Sequence, residues 1–157
     1  MIKITLPGRN QTLVLKNLLI DLNGTLTNAG VLNLEVKEKI IKLKEQIDIY
    51  LLTADTYGTA KIISEELDIK LIKVDEINGG QDKKNFLHQV NAKESVAIGN
   101  GYNDILMLDE AILSIIIIGQ EGCAISALLK ADIAVTDIID GLDLLLNPNR
   151  IVATLRA

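Results

Sequence analysis

Hydrophobic and polar residues change rhythm several times along this chain, and each rhythm predicts an element. Residues 2–6 and 12–16 alternate around Pro7-Gly8-Arg9-Asn10, the pattern of an antiparallel hairpin leading into a sheet. Residues 17–22 are an apolar run that fits a buried parallel strand, and 28–34 suit a small flap. From Glu35 onward Val36, Ile40, Ile41, Leu43 and Ile47 recur at helical spacing. Further strands are predicted at 49–52, 70–74, 95–98, 112–118 and 133–135. Helices are predicted at 57–67, from about 82 with Phe86, Leu87 and Val90 on one face, at 103–109 and at 123–130. A last helix starts at Asp137 with Leu142, Leu145 and Leu146 on its apolar side. Gly79-Gly80 punctuates the turn before the third helix and Pro148 stops the last. The apolar stretch 151–155 then needs somewhere to dock.

Strands that alternate with helices of this length imply βαβ units, hence an α/β fold with a mostly parallel sheet and helices on both faces. The 157 residues suit a single domain over 1–157, with 1–16 as a hairpin extension and 147–157 as a C-terminal tail. Composition narrows the picture. Apolar residues make up 48% but aromatics only 3%, so the core must be built from Ile, Leu, Val and Ala. The net charge of −5 gives no electrostatic case for nucleic acid or an anionic membrane as partner. The longest apolar run, around 115–118, falls far short of the ~20 residues of a membrane helix. The start lacks a basic region followed by an apolar one, so no signal peptide is expected. Cys123 is the only cysteine, which suits a reducing, cytoplasmic setting. His88 is the only histidine; it rules out two-histidine metal sites and reads as a surface residue.

Four segments place polar groups just after predicted strands: Asp21-Leu-Asn-Gly-Thr25, Thr53-Ala-Asp55, Lys83, and Gly99-Asn-Gly-Tyr-Asn-Asp104. Each has a bland explanation alone, as a turn, a helix cap, a solvated charge or a first-turn carboxylate. Together they are a phosphate-handling set. A carboxylate nucleophile, a hydroxyl, an ammonium and a second carboxylate would meet along one sheet edge, where open α/β sheets bind ligands. Asp21 and Asp104 suit Mg²⁺, while Thr53 and Lys83 suit phosphoryl oxygens.

In these segments the chain resembles the haloacid dehalogenase (HAD) superfamily. Asp21-Leu-Asn-Gly-Thr-Leu-Thr27 is similar to its Asp-x-Asp-Gly-Thr motif, Thr53 to the second, Lys83 to the third, and Gly99-Asn-Gly-Tyr-Asn-Asp104 to the Gly-Asp-Gly-x-Asn-Asp form of the fourth. The match in order and spacing runs over about 20–136. Thr53-Ala-Asp55 and the spacing of Lys83, Leu87 and Val90 look most like soluble relatives of the P-type ATPase phosphorylation domain. The resemblance implies a three-layer Rossmannoid fold and a Mg²⁺-dependent hydrolase acting on a phosphate ester or anhydride. It implies an aspartyl phosphate on Asp21, with Asn23, Thr53 and Lys83 beside it in the chemistry. Gly24, Thr25, Thr53, Ala54 and Lys83 would hold the phosphate. Asp21, the Asn23 carbonyl, Asn100 and Asp104 would hold the metal. Lys84 is the fallback for Lys83.

Two departures bear on turnover. The superfamily's phosphatases usually carry an acid/base Asp where this chain has Asn23, and an amide cannot transfer that proton. Asn100 stands where the motif has a metal-binding Asp, which removes one negative charge from the site. Both asparagines precede glycine, the pair most prone to deamidation, so conversion to Asp on storage is a hypothesis that mass spectra can test. The alternative to an enzyme is therefore a phosphate- and Mg²⁺-binding, or stably phosphorylated, regulatory or partner domain. Only 25 residues separate Thr27 from Thr53, and 29 separate Thr53 from Lys83. A cap domain does not fit in either gap, since one βαβ unit needs roughly 30. An open site is thus expected, with a homo-oligomer as one way to close it. Tyr57 and Tyr102 sit beside the second and fourth motifs, where either can line the mouth, although packing is the simpler expectation for both. The 151–155 tail is a candidate contact, although packing on its own sheet is the simpler expectation. A dinucleotide fold would need Gly-x-Gly-x-x-Gly after the first strand, which is not there. A phospho-receiver domain would carry its acceptor Asp on a later strand.

Overall fold

The structure is a computed structural model that describes residues 1–54 and 58–157. Its centre is β3 (Asn17–Asp21), whose five residues are all buried because both faces of the strand are covered. Parallel partners flank it. β4 (Asp48–Thr53) lies on one side with β5 (Lys70–Lys73) beyond, and β6 (Ser95–Gly99), β7 (Leu113–Ile117) and β8 (Ile133–Val135) lie on the other. The order β5-β4-β3-β6-β7-β8 makes a six-stranded, all-parallel sheet. Among the described residues this is the HAD-like Rossmannoid fold without a cap.

Alternate residues of each strand feed two cores. Leu18, Ile20, Leu51, Ile98 and Ile115 face α1 (Leu34–Lys44), α2 (Ala60–Leu67) and α6 (Ile138–Leu146). Leu19, Leu52, Ala97 and Ile116 face α3 (Gly79–Gln89), α4 (Ile105–Glu110) and α5 (Ile125–Leu128). Local signals explain the helix ends. Asn33 caps α1 by accepting from Glu35 N at 2.8 Å, and Val36, Ile40 and Leu43 bury one stripe. Asp137 caps α6 by accepting from Ile139 N at 2.7 Å. The expected start of the second helix, and Asp55 and Tyr57 with it, lie outside the described residues.

Several expectations shift. The hairpin β1 (Ile2–Leu6) and β2 (Gln11–Leu15) does not join the main sheet; it forms its own two-stranded sheet. Ile2, Ile4, Leu6, Leu13 and Leu15 all point into the first core, so the pair covers the core as a lid. Gly79-Gly80 is not a turn but the first turn of α3, because Asp75 Oδ1 takes the N–H groups of Ile77 and Asn78 and organises the entry. The helix at 123–130 shrinks to the single turn Ile125–Leu128, since Gly122, at φ +75°, is turned back toward Gly119. The apolar tail is α7 (Asn149–Leu155), with Ile151 fully buried against the hairpin side of the first core. Its main apolar anchor is therefore spent inside its own chain. Among the described residues, no helix is long and apolar enough to cross a membrane.

Candidate active site

The chain leaves β3 toward β4 on one side and later returns to β6 on the other. The strand order thus reverses beside β3, and at such a switch point the loops diverge and leave a crevice at the strands' C-terminal ends. Asp21 is the last residue of β3 and lies in register with Leu52, one residue before Thr53. Asn100 follows β6 directly. Three of the four predicted segments converge at this crevice through β3, β4 and β6, and α3 brings the fourth.

Lys83 is wholly buried, and its ammonium donates to Asp21 Oδ1 at 2.6 Å and to Asp104 Oδ1 at 2.7 Å. Helix geometry explains how it gets there. A Cβ on Gly80 would lie 3.2 Å from the Asn103 carbonyl, so glycine lets α3 settle close against the loop after β6. Lys84 points elsewhere and pairs with Glu110 at 2.5 Å. Asp104 is also wholly buried, and its Oδ2 accepts the backbone N–H groups of Asn100 and Gly101, both at 2.9 Å. Those bonds wrap the loop around the carboxylate. A Cβ on Gly99 would sit 2.5 Å from Asp104 Cγ, so the loop closes this tightly only over glycine.

The turn after Asp21 is equally defined. Leu26 N donates to the Asp21 carbonyl at 3.2 Å, Thr27 N to the Leu22 carbonyl at 3.0 Å, and Gly24 N to the Thr27 carbonyl at 3.1 Å. Gly24 takes φ +74°, a left-handed conformation that glycine adopts at least cost. Thr25 Oγ1 donates to Asn100 Oδ1 at 3.0 Å, joining the first and fourth segments. Thr53 is buried at the end of β4, with Ala54 half-buried after it. Tyr102, within the fourth segment, is largely exposed, and His88 is exposed and pairs with Glu110. The Asn-Gly hypothesis meets an obstacle. Succinimide closure needs the glycine nitrogens, yet Gly24 N is bonded within its turn and Gly101 N is bonded to Asp104.

Two carboxylates and one ammonium leave the buried site with surplus negative charge. Burial and the neighbouring Asp104 push the Asp21 carboxyl up from 3.8 to about 6, against the pull of Lys83 and a backbone bond from Leu22. Burial alone would push the Lys83 ammonium down, but Asp104 and Asp21 outweigh it and hold it above the usual range. A divalent cation would offset this surplus. The Asp21 carboxylate, the backbone carbonyl of Asn23 and the amide oxygen of Asn100, which accepts from Thr25, are hard oxygen donors of the kind that Mg²⁺ favours. Among the described residues, no cluster of three or more His, Cys, Asp and Glu side chains could hold a metal ion. Amide and backbone oxygens would therefore have to complete the set. Asp104 already receives three donors, so its nearer role is to hold Lys83 and the loop.

Sequence reasoning passed over Glu121. A Cβ on Gly24 would lie 2.6 Å from its Oε2, so it rests on the turn after Asp21. It sits in a loop with no motif, and only the paired glycines Gly119 and Gly122 hinted at a tight turn there.

No known family profile matches the chain. Two proteins of Methanocaldococcus jannaschii do. "Uncharacterized protein MJ0073" is 55% identical over 64 residues, 41% of this chain and 69% of that protein. The chain belongs to the same family as MJ0073. "Uncharacterized protein MJ0072" is 49% identical over 39 residues, 25% of this chain and 89% of that protein. Among solved structures, this MJ0073 relative is similar to HAD-superfamily phosphatases. The cobalt-bound deoxy-D-mannose-octulosonate 8-phosphate phosphatase of Haemophilus influenzae aligns with TM-score 0.72 at 15% identity, over 91% of this chain and 94% of that one. The Moraxella catarrhalis phosphatase for the same substrate, solved with magnesium, phosphate and KDO, gives 0.70 at 17% identity over 90% and 94%. A HAD family hydrolase of Streptomyces avermitilis gives 0.69 at 14% identity over 92% and 97%.

Proposed function

We propose that this chain is a Mg²⁺-dependent HAD-type phosphohydrolase that acts on a phosphate ester or anhydride through an aspartyl phosphate on Asp21. One observation carries the reading: Asp21, Lys83 and Asp104 are ion-paired and buried together at the sheet's switch point. The magnesium, phosphate and KDO bound in the Moraxella catarrhalis phosphatase support it by analogy of fold. The Asp21 carboxylate attacks phosphorus, the bond to the leaving group breaks, and water then cleaves the acyl phosphate to release phosphate. Lys83 offsets charge on the phosphoryl oxygens, and Gly24, Thr25, Thr53 and Ala54 surround them. Asp21, the Asn23 carbonyl and Asn100 would hold Mg²⁺ with Asp104 behind them, and the ion would supply charge neutralisation.

Asn23 sets the rate. Without an acid at this position, poor leaving groups suffer most and acyl phosphates or anhydrides least. P-type ATPases share that lack, which keeps a likeness to their soluble relatives within this reading. The chemistry suits a cytoplasmic protein whose partner is its phosphorylated substrate. With no cap over the site, closure by a second copy would appear as a dimer or larger species in light scattering.

The test is acetyl phosphate and p-nitrophenyl phosphate with Mg²⁺, for wild type and Asp21→Asn. Turnover that disappears in Asp21→Asn supports the enzyme. Asn23 also favours a second reading, a phosphorylated or phosphate-binding partner domain. It is supported if Asp21-dependent phosphoprotein accumulates without turnover.

A further inference from the structure

Glu121 stands where the site meets solvent, and the chemistry above does not use it. After β7 the chain folds back on itself, with Gly122 N bonded to the Gly119 carbonyl at 2.9 Å, and this loop presents Glu121 over Gly24. Glu121 lines two clefts at once. One, of about 380 Å³, runs from Gly24 and Thr25 to Val36, Ile117 and Ile138; the other, of about 580 Å³, includes Asn23 and Gly30. Neither cleft is lined by any Lys, Arg or His among the described residues. Two helix N-termini open on the first cleft, but their own caps fill them: Asn33 takes Glu35 N and Asp137 takes Ile139 N. A group entering over Gly24 therefore meets the carboxylates of Glu121 and Asp137 among uncharged polar and apolar side chains, with no cation to welcome a second anion.

We infer that this site selects phosphorylated compounds whose organic part is uncharged or cationic. Glu121 is the residue that turns away anionic ones. The inference rests on the phosphohydrolase reading and narrows its substrate class. A unit charge a few ångströms away at a half-solvated cleft changes relative affinity by roughly tenfold.

The test uses the full chain with Mg²⁺ and three aryl phosphates: p-nitrophenyl phosphate and its para-trimethylammonium and para-sulfonate counterparts. The readout is the kcat/KM ratio of cationic to anionic substrate in wild type, Glu121→Gln and Glu121→Lys. Differences in leaving group cancel when this ratio is compared across proteins. Glu121 is exposed, so neither substitution disturbs the core. The ratio should drop about tenfold in Glu121→Gln and further in Glu121→Lys. Acetyl phosphate with wild type and Asp21→Asn runs alongside. An unchanged ratio together with Asp21-dependent cleavage of acetyl phosphate overturns the role of Glu121 and leaves the phosphohydrolase standing. No Asp21-dependent cleavage of any of the four compounds overturns both.

Discussion

Lys83 is a fully buried cation held between two carboxylates, and that arrangement makes it unlike its neighbour in sequence. Removing one partner from a buried ion pair leaves uncompensated charge and typically costs about 3–5 kcal/mol. Lys83→Met should lose stability on that scale in urea unfolding. Lys84→Met should lose under about 1 kcal/mol, because its pair with Glu110 is partly solvated. Asp21 adds a pH dependence whose sign is fixed. Its folded carboxyl titrates at about 6 against 3.8 in the open chain. Between those values the folded protein holds a proton that the unfolded chain has lost, so stability falls as pH rises through the window. With a chelator present, denaturant midpoints should decline from about pH 4 to pH 6, and Asp21→Asn should flatten that slope. Asn23→Asp restores a proton carrier beside the nucleophile and should raise p-nitrophenyl phosphate turnover by about 10²-fold or more in a steady-state assay. The identities of Asp21, Lys83 and Asp104 could be read in the sequence because strand ends and helix starts put polar residues where chains turn. Glu121 could not, since its importance comes from a contact with Gly24 across about a hundred residues of chain.

At the scale of elements, α3 and α7 show where periodicity runs out. Phe86, Leu87 and Val90 marked the helix correctly, but Gly79-Gly80 reads as a breaker in any local window. The nearness of the Asn103 backbone explains glycine at position 80 inside a helix, while a Cβ on Gly79 would meet only Val74 at 3.4 Å. Gly80→Ala should push α3 outward and weaken the reach of Lys83. A Lys83 ammonium signal that exchanges faster with solvent by NMR would show it. The hairpin's alternation was plain, yet nothing in it distinguishes joining the sheet from lying over the core, because both bury one face. For α7, Ile151 is fully buried. Ile151→Ala should cost about 2–5 kcal/mol, read from thermal or chemical unfolding.

For the molecule as a whole, the alternation of strands and helices was enough to imply a parallel sheet, whereas strand order was not. Right-handed crossovers leave open which side of β3 receives β6, and that choice creates the crevice. Asp21 and Lys83 are 62 positions apart, and Lys83 and Asp104 a further 21. No local segment contains the site. Contacts of such separation form late, because a long loop must close before they contribute anything. During synthesis the first half of the chain can pair β3 with β4, but it has nothing to set against Asp21. A nascent chain should thus stay chemically silent until residues past Asp104 have left the ribosome, with the future nucleophile a solvated side chain at an unfinished edge.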